Sequence, residues 1–153
     1  MELKAAFQES NSLVVVLKLV IIFYLTCKSI KELELTIRAK HNNYGIVTLI
    51  EAQKKLFNVS ITSLDSNYSF YSTIENSLVR HANTIRYFKL TEQPTTNILS
   101  SFVNLKGLEL GNNHLITEWN CLKNLSLPFL QTLSTTLIPA QALTDLIENT
   151  NKN

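Results

Sequence analysis

The sequence predicts an α/β fold, a short curved solenoid of about five irregular strand–helix units sharing one parallel sheet. Three observations lead there. A six-residue pattern, apolar-x-x-apolar-x-apolar, recurs along the chain. Its last three positions alternate with period two, as a strand with one buried face requires. Between copies the apolar spacing turns helical, and strands alternating with helices at this distance imply parallel strands side by side. The 153 residues suit one domain, and only 3 glycines and 3 prolines argue against a turn-dense sandwich or barrel.

Residues 1–12, MELKAAFQESNS, are expected to be a disordered leader. Residues 13–27 read LVVVLKLVIIFYLTC, the most apolar stretch, broken by Lys18. A membrane span needs about 20 apolar residues. A secretory signal needs a basic leader and a small-residue cleavage site, whereas Glu2 and Glu9 stand against Lys4 here and no A-x-A follows. Segment 13–28 is therefore expected to be an apolar cap, a helix ending near Cys27 that covers the open edge of the first strand of the units. Its β-branched residues leave helix and strand both open on pattern alone.

The hexads start at Ile30, Leu56, Ile85, Leu105 and, in a weaker copy, Leu130, so they lie 26, 29, 20 and 25 residues apart. Strands are predicted near 32–37, 57–62, 86–91, 106–111 and 131–135. Leu33, Leu35, Val59, Ile61, Phe88, Leu90, Leu108 and Leu110 should be among the most buried residues. Helical stripes follow. Ile46, Leu49 and Ile50 predict a helix over 44–55. Ile74, Leu78 and Ala82 predict one over 73–83, with Ser72 and Glu75 placed as a capping box. Ile98, Leu99, Phe102 and Val103 predict 95–103, behind Pro94. Ala140, Leu143, Leu146 and Ile147 predict 139–149, with Pro139 suited to the first turn. The segment after Leu110 lacks a stripe and reads as an irregular or 3₁₀ connection. Units thus fill 29–150, leaving 151–153 as a tail.

These spacings bracket the 20–29 residues of a leucine-rich repeat. The fourth copy extends through Leu105, Leu108, Leu110, Asn113 and Leu115, the full signature of that class. The other copies hold Arg38, Leu64, Gln93 and Ile138 at the Asn113 position, so no asparagine ladder is expected. The wording CKSIKELEL, NSLVRHANTIRYFKL, ILSSFVNLKGLEL, LSLPFLQTL and IPAQALTDLIENT, spread over 27–150, resembles the repeat region of fungal F-box-like proteins. The resemblance implies a ribonuclease-inhibitor-like leucine-rich-repeat solenoid in the cytoplasm or nucleus. It implies a protein–protein interaction module, the substrate-recognition part of an F-box-like ubiquitin-ligase adaptor. The F-box itself is not found: 26 residues are too few and no Leu-Pro-x-Glu start occurs. A cullin-ligase adaptor subunit is thus an expected partner only if an F-box lies upstream, and the chain reads as shortened. Two alternatives stay open. One is a membrane-anchored or secreted leucine-rich-repeat protein that uses 13–27 as an anchor and the sequons at Asn58, Asn67 and Asn124. The other is an inactive gene fragment.

In such a solenoid the x positions of the strands line the concave face. The candidate protein-binding residues are therefore Glu32, Glu34, Asn58, Ser60, Tyr87, Lys89, Glu109, Thr132 and Ser134, facing a protein or peptide. Tyr87 is the expected anchor, since aromatics are enriched at hot spots, and Lys89 should pair laterally with Glu109. Fourteen basic and 12 acidic residues, net +2, make no nucleic-acid footprint. His41, His81 and His114 fall in different units with no ligand spacing, so surface or capping roles are expected. No phosphate loop, G-x-S-x-G or H-E-x-x-H occurs. No enzymatic activity, cofactor or metal is expected, and a membrane partner is not favoured. Cys27 and Cys121 read as reduced buried thiols, and Trp119 as a packing residue.

Overall fold

The computed structural model describes residues 4–7, 30–37, 44–63, 68–111 and 119–151. In chain order the elements are β1 (Lys4–Phe7), β2 (Glu32–Ile37), α1 (Tyr44–Ala52), β3 (Asn58–Ser63), α2 (Tyr68–Leu78), β4 (Tyr87–Leu90), α3 (Ile98–Ser101), β5 (Gly107–Gly111), β6 (Thr132–Thr136) and α4 (Ala140–Asn151). Single 3₁₀ turns lie at Val79–His81 and Asn120–Leu122. The strands form one sheet in chain order, every neighbouring pair parallel. The architecture is thus α/β with a parallel sheet, as the sequence predicts.

Register sets the hexads level with one another. Leu33, Val59, Phe88, Leu108 and Leu133 stand in one row across β2–β6, and Leu35, Ile61, Leu90, Leu110 and Thr135 in another. The eight residues expected to be most buried are all buried. A third interior row comes from the residue opening each hexad: Ile30, Leu56, Ile85 and Leu105 are buried and Leu130 partly so. Parallel strands need crossovers of a dozen or more residues, which the 20–29-residue spacing supplies. The crossovers close the core with Leu49 and Ile50 of α1, Ile74 and Leu78 of α2, Leu99 and Phe102 at α3, and Trp119 and Leu122 around the second 3₁₀ turn.

The strand entries share one hydrogen-bond motif. The carbonyl of Lys31 accepts from the N–H groups of both Phe57 and Asn58, at 2.9 and 3.0 Å. Phe57 does the same for Arg86 and Tyr87, Arg86 for Lys106 and Gly107, and Lys106 for Gln131 and Thr132. A carbonyl has two lone pairs, so one residue per unit ties two donors of the next. Asn113, the signature asparagine, lies outside the described residues.

Several expectations need correction. Lys4–Phe7, expected within a disordered leader, is a strand that places Ala5 and Phe7 level with Leu33 and Leu35. β1 occupies the edge of β2 that segment 13–28 was expected to cover, because a parallel partner satisfies the backbone groups of that edge directly. Segment 13–28 itself lies outside the described residues. Helix α2 starts at Tyr68, five residues early, so Ser72 is internal and its hydroxyl donates to the Ser69 carbonyl at 2.9 Å. The expected capping box is not one. Glu75 points inward, because the stripe of Tyr71, Ile74 and Leu78 carries it onto the buried face. Helix α3 is a single turn, and Val103 is exposed. Helix α4 buries Ala142 and Leu146, while Ala140 and Ile147 face solvent. It also continues through Asn151, one residue into the expected tail.

Two buried polar side chains close helix ends. Gln53 accepts from the Ile30 N–H and donates to the Leu49 carbonyl, both at 2.9 Å. His81 Nε2 donates to the Ile50 carbonyl at 2.8 Å. Both carbonyls belong to the last turns of α1, where regular i→i+4 bonding runs out, and that of Ile50 also accepts from the Gln53 N–H at 3.1 Å. His81 is therefore a capping histidine as expected, though a buried one. His41 and His114 lie outside the described residues.

Candidate binding face

The outward positions of β2–β6 form one groove of about 570 Å³. Period-two alternation puts them there: one row lies between the two interior rows of the strands and the other directly before the first of them. All nine candidate residues line it: Glu32 and Glu34 on β2, Asn58 and Ser60 on β3, Tyr87 and Lys89 on β4, Glu109 on β5, Thr132 and Ser134 on β6. They make two rows in register, Glu32-Asn58-Tyr87-Gly107-Thr132 and Glu34-Ser60-Lys89-Glu109-Ser134. The structure brings together residues that lie up to 102 positions apart in the sequence.

Contacts within the face run laterally between strands. Lys89 Nζ lies 2.7 Å from Glu109 Oε1, the expected pair. Asn58 Nδ2 donates to Glu32 Oε1 at 3.0 Å, so the side-chain amide at that sequon is engaged. The Thr132 hydroxyl reaches the Lys106 carbonyl at 3.5 Å. Tyr87 is half exposed, at 50%. Gly107 explains its placement. A Cβ there would stand 2.5 Å from Tyr87 Cδ1 and 2.9 Å from Thr132 Oγ1, so only glycine leaves room for the ring. This cradle escapes sequence reasoning, because nothing local marks Gly107 as the seat of a side chain 20 residues earlier.

A second polar cluster lies in the helix layer, away from the groove. Glu75 is fully buried, and its carboxylate accepts from the Thr95 N–H and hydroxyl, both at 3.0 Å, and from the Thr96 N–H at 2.7 Å. Burial raises its pKa, and the threonine hydrogen bonds pull it back in part. Burial also pushes the Tyr71 hydroxyl far above its usual range, with the charges of Glu75 and Glu92 adding to it. The Cys121 thiol is pushed up to about 12, first by burial. A thiol so rarely ionised is a poor nucleophile. Cys121 is free, as expected, and Cys27 lies outside the described residues. Trp119 is buried, as expected of a packing residue.

Among the described residues no group of three or more His, Cys, Asp or Glu could hold a metal ion, and no helix is long and apolar enough to cross a membrane. Residues 13–27 and Asn67 lie outside that description, and Asn124 is exposed. Compared with known protein families, curated protein sequences and solved structures, the chain has no significant match in any of the three.

Proposed function

We propose that the chain is a leucine-rich-repeat solenoid serving as a protein–protein interaction module, with the β2–β6 face as its binding surface. The observation that carries this reading is a coincidence of periods. The hexads that recur in sequence lie level in the sheet, and the same two-donor carbonyl recurs at four successive strand entries. The interior of such a stack is spent on leucine-type packing, so recognition falls to the outward positions. There a half-exposed tyrosine, one cation and three carboxylates share a groove. By the resemblance of residues 27–150, the partner would be the substrate of an F-box-like ubiquitin-ligase adaptor.

The test is site-specific photocrosslinking in cells. A benzophenone amino acid replaces Tyr87 in one variant and Glu148, exposed on α4, in the other. The expected result is a discrete protein adduct from position 87 alone, and an adducted protein that accumulates when cullin ligases are inhibited. Equal adducts from both positions, or none from position 87, would refute the binding face. An adduct indifferent to ligase inhibition would refute the adaptor role alone.

A further inference from the structure

We infer that copies of this chain join end to end, the open edge of β6 in one taking β1 of the next as a further parallel strand. Backbone geometry comes first. At four successive strand entries one carbonyl, of Lys31, Phe57, Arg86 or Lys106, takes two N–H groups of the following strand. Gln131 holds the same place ahead of β6. Among the described residues no N–H reaches its carbonyl, and no strand lies beyond β6. Alternate residues of a parallel strand bond to opposite neighbours, and the Thr132 N–H bonds to Lys106, at the entry of β5. Leu133 and Thr135 therefore turn their backbone groups to the open edge.

The side chains at this end do nothing to close it. Edge strands are ordinarily guarded by charge, proline or a bulge. No charged residue occurs from Asn124 through Thr144, and β6, TLSTT, holds no proline. Behind the strand Leu130, Leu133, Leu146 and Ile147 line a recess of about 340 Å³, and Phe129 and Ile147 are exposed. The end of the stack thus keeps the form of an interior surface.

The chain itself carries the matching edge. β1 is the opposite end of the same sheet, parallel and in the same register. Lys4 holds on β1 the place of Asn58, Tyr87, Gly107 and Thr132 on their strands, each of which gives its N–H to the preceding entry carbonyl. Set against β6 of another copy in that register, the Lys4 N–H meets the Gln131 carbonyl. Ala5 then stands level with Leu133, and Phe7 with Thr135, so the interior rows run on across the joint. Two β6 edges related by a two-fold axis would instead run antiparallel, against the pattern of every pair in the sheet. A joint between unlike ends need not close, so copies add in a row. The end is one strand and one helix thick and only about 17–18 Å long. It falls short of the about 800 Å² per partner of a standard interface, so the joint is weak and forms at high protein concentration.

Sedimentation velocity of the full chain, over a wide range of concentration, tests this. The expected result is a mean mass that rises with concentration past the dimer. Thr135→Pro removes an outward N–H of β6. Ala6→Pro removes one of β1, since Ala6 holds the place of Ser134 and alternation turns its N–H away from β2. After melts show that both fold, each variant alone should be monomeric. Mixed, each supplies the edge the other lacks, and the pair should form a dimer that grows no further. Thr135→Lys, an inward charge at the joint, takes the place of the β6 proline variant should that one not fold. Wild type that stays monomeric at every concentration, association that either block leaves intact, or a mixture that stays monomeric would overturn the end-to-end joint.

Discussion

β5 and β6 are neighbours in one ladder, yet they live in different environments. On β5, Leu108 and Leu110 are buried between the matching residues of β4 and β6. On β6 the same positions hold Leu133, only partly buried, and Thr135, and among the described residues no strand lies beyond them. The crossovers differ likewise. α2 is tied to the next crossover by the Glu75 carboxylate with three hydrogen bonds, whereas α4 meets the Leu127 N–H through the Thr150 hydroxyl at 3.3 Å. In a stack where each unit touches only its neighbours, a side chain's worth depends on what flanks it more than on its type.

The largest expected effect separates the two strands directly. Leu108→Ala should cost about 2–5 kcal/mol, because it empties a site walled on both sides. Leu133→Ala removes the same atoms from a partly open site that can relax, so it should cost clearly less. Urea melts of the two variants, compared at equal m-value, read the difference. Equal losses would mean that β6 is as enclosed as β5.

Glu75 comes next. Removing its carboxylate in Glu75→Ala strands the Thr95 and Thr96 N–H groups, about 1–3 kcal/mol, whereas Thr150→Val at the far end should cost under about 1 kcal/mol. The pH dependence has a definite sign. The folded-state pKa of Glu75 is raised above its ordinary 4.5, so the folded chain favours the protonated form. Its contribution to stability is full below that value and is lost as pH rises through the elevated pKa. Stability of wild type relative to Glu75→Gln should therefore decline from acid toward neutral pH in chemical melts. A difference that grows with pH would show that the three hydrogen bonds outweigh burial.

These two regions also mark what was legible in the sequence. The strands of the middle could be read to within about a residue, because period-two alternation between leucines has one structural solution, and the nine groove residues followed from it. Glu75 was misread. Its capping-box spacing from Ser72 is a local signal, but its partners are 20 and 21 residues away and belong to the next unit. The start of α2 was missed because Tyr68-Ser-Phe-Tyr-Ser carries hydroxyls that suit a cap as well as a helix. On α4 the apolar stripe was placed on Ile147, and the edge position left that residue exposed.

Strain sharpens the contrast at the same end. Leu137, just after β6, holds φ at +61° with its side chain exposed. An L-residue in that region carries about 1–2 kcal/mol of strain that asparagine carries less of. Leu137→Asn should therefore raise stability, by about 1 kcal/mol or less, since little packing is lost. A thermal melt that falls instead would show that Leu137 is held by contacts worth more than its strain.

The smallest effect belongs to the ion pair on the face. Lys89 and Glu109 are 2.7 Å apart, with side chains 41% and 50% exposed. Water screens such a pair, and ordering two flexible side chains offsets most of the attraction, so the net is about 0–1 kcal/mol. In a double-mutant cycle of Lys89→Ala and Glu109→Ala, the coupling measured in urea should fall in that range and shrink as salt shortens the screening length. Coupling well above it, or unchanged by salt, would mean that the pair is enclosed rather than set in an open groove. It would also make β4–β5 part of the core on both faces, removing the surface on which recognition is proposed to occur.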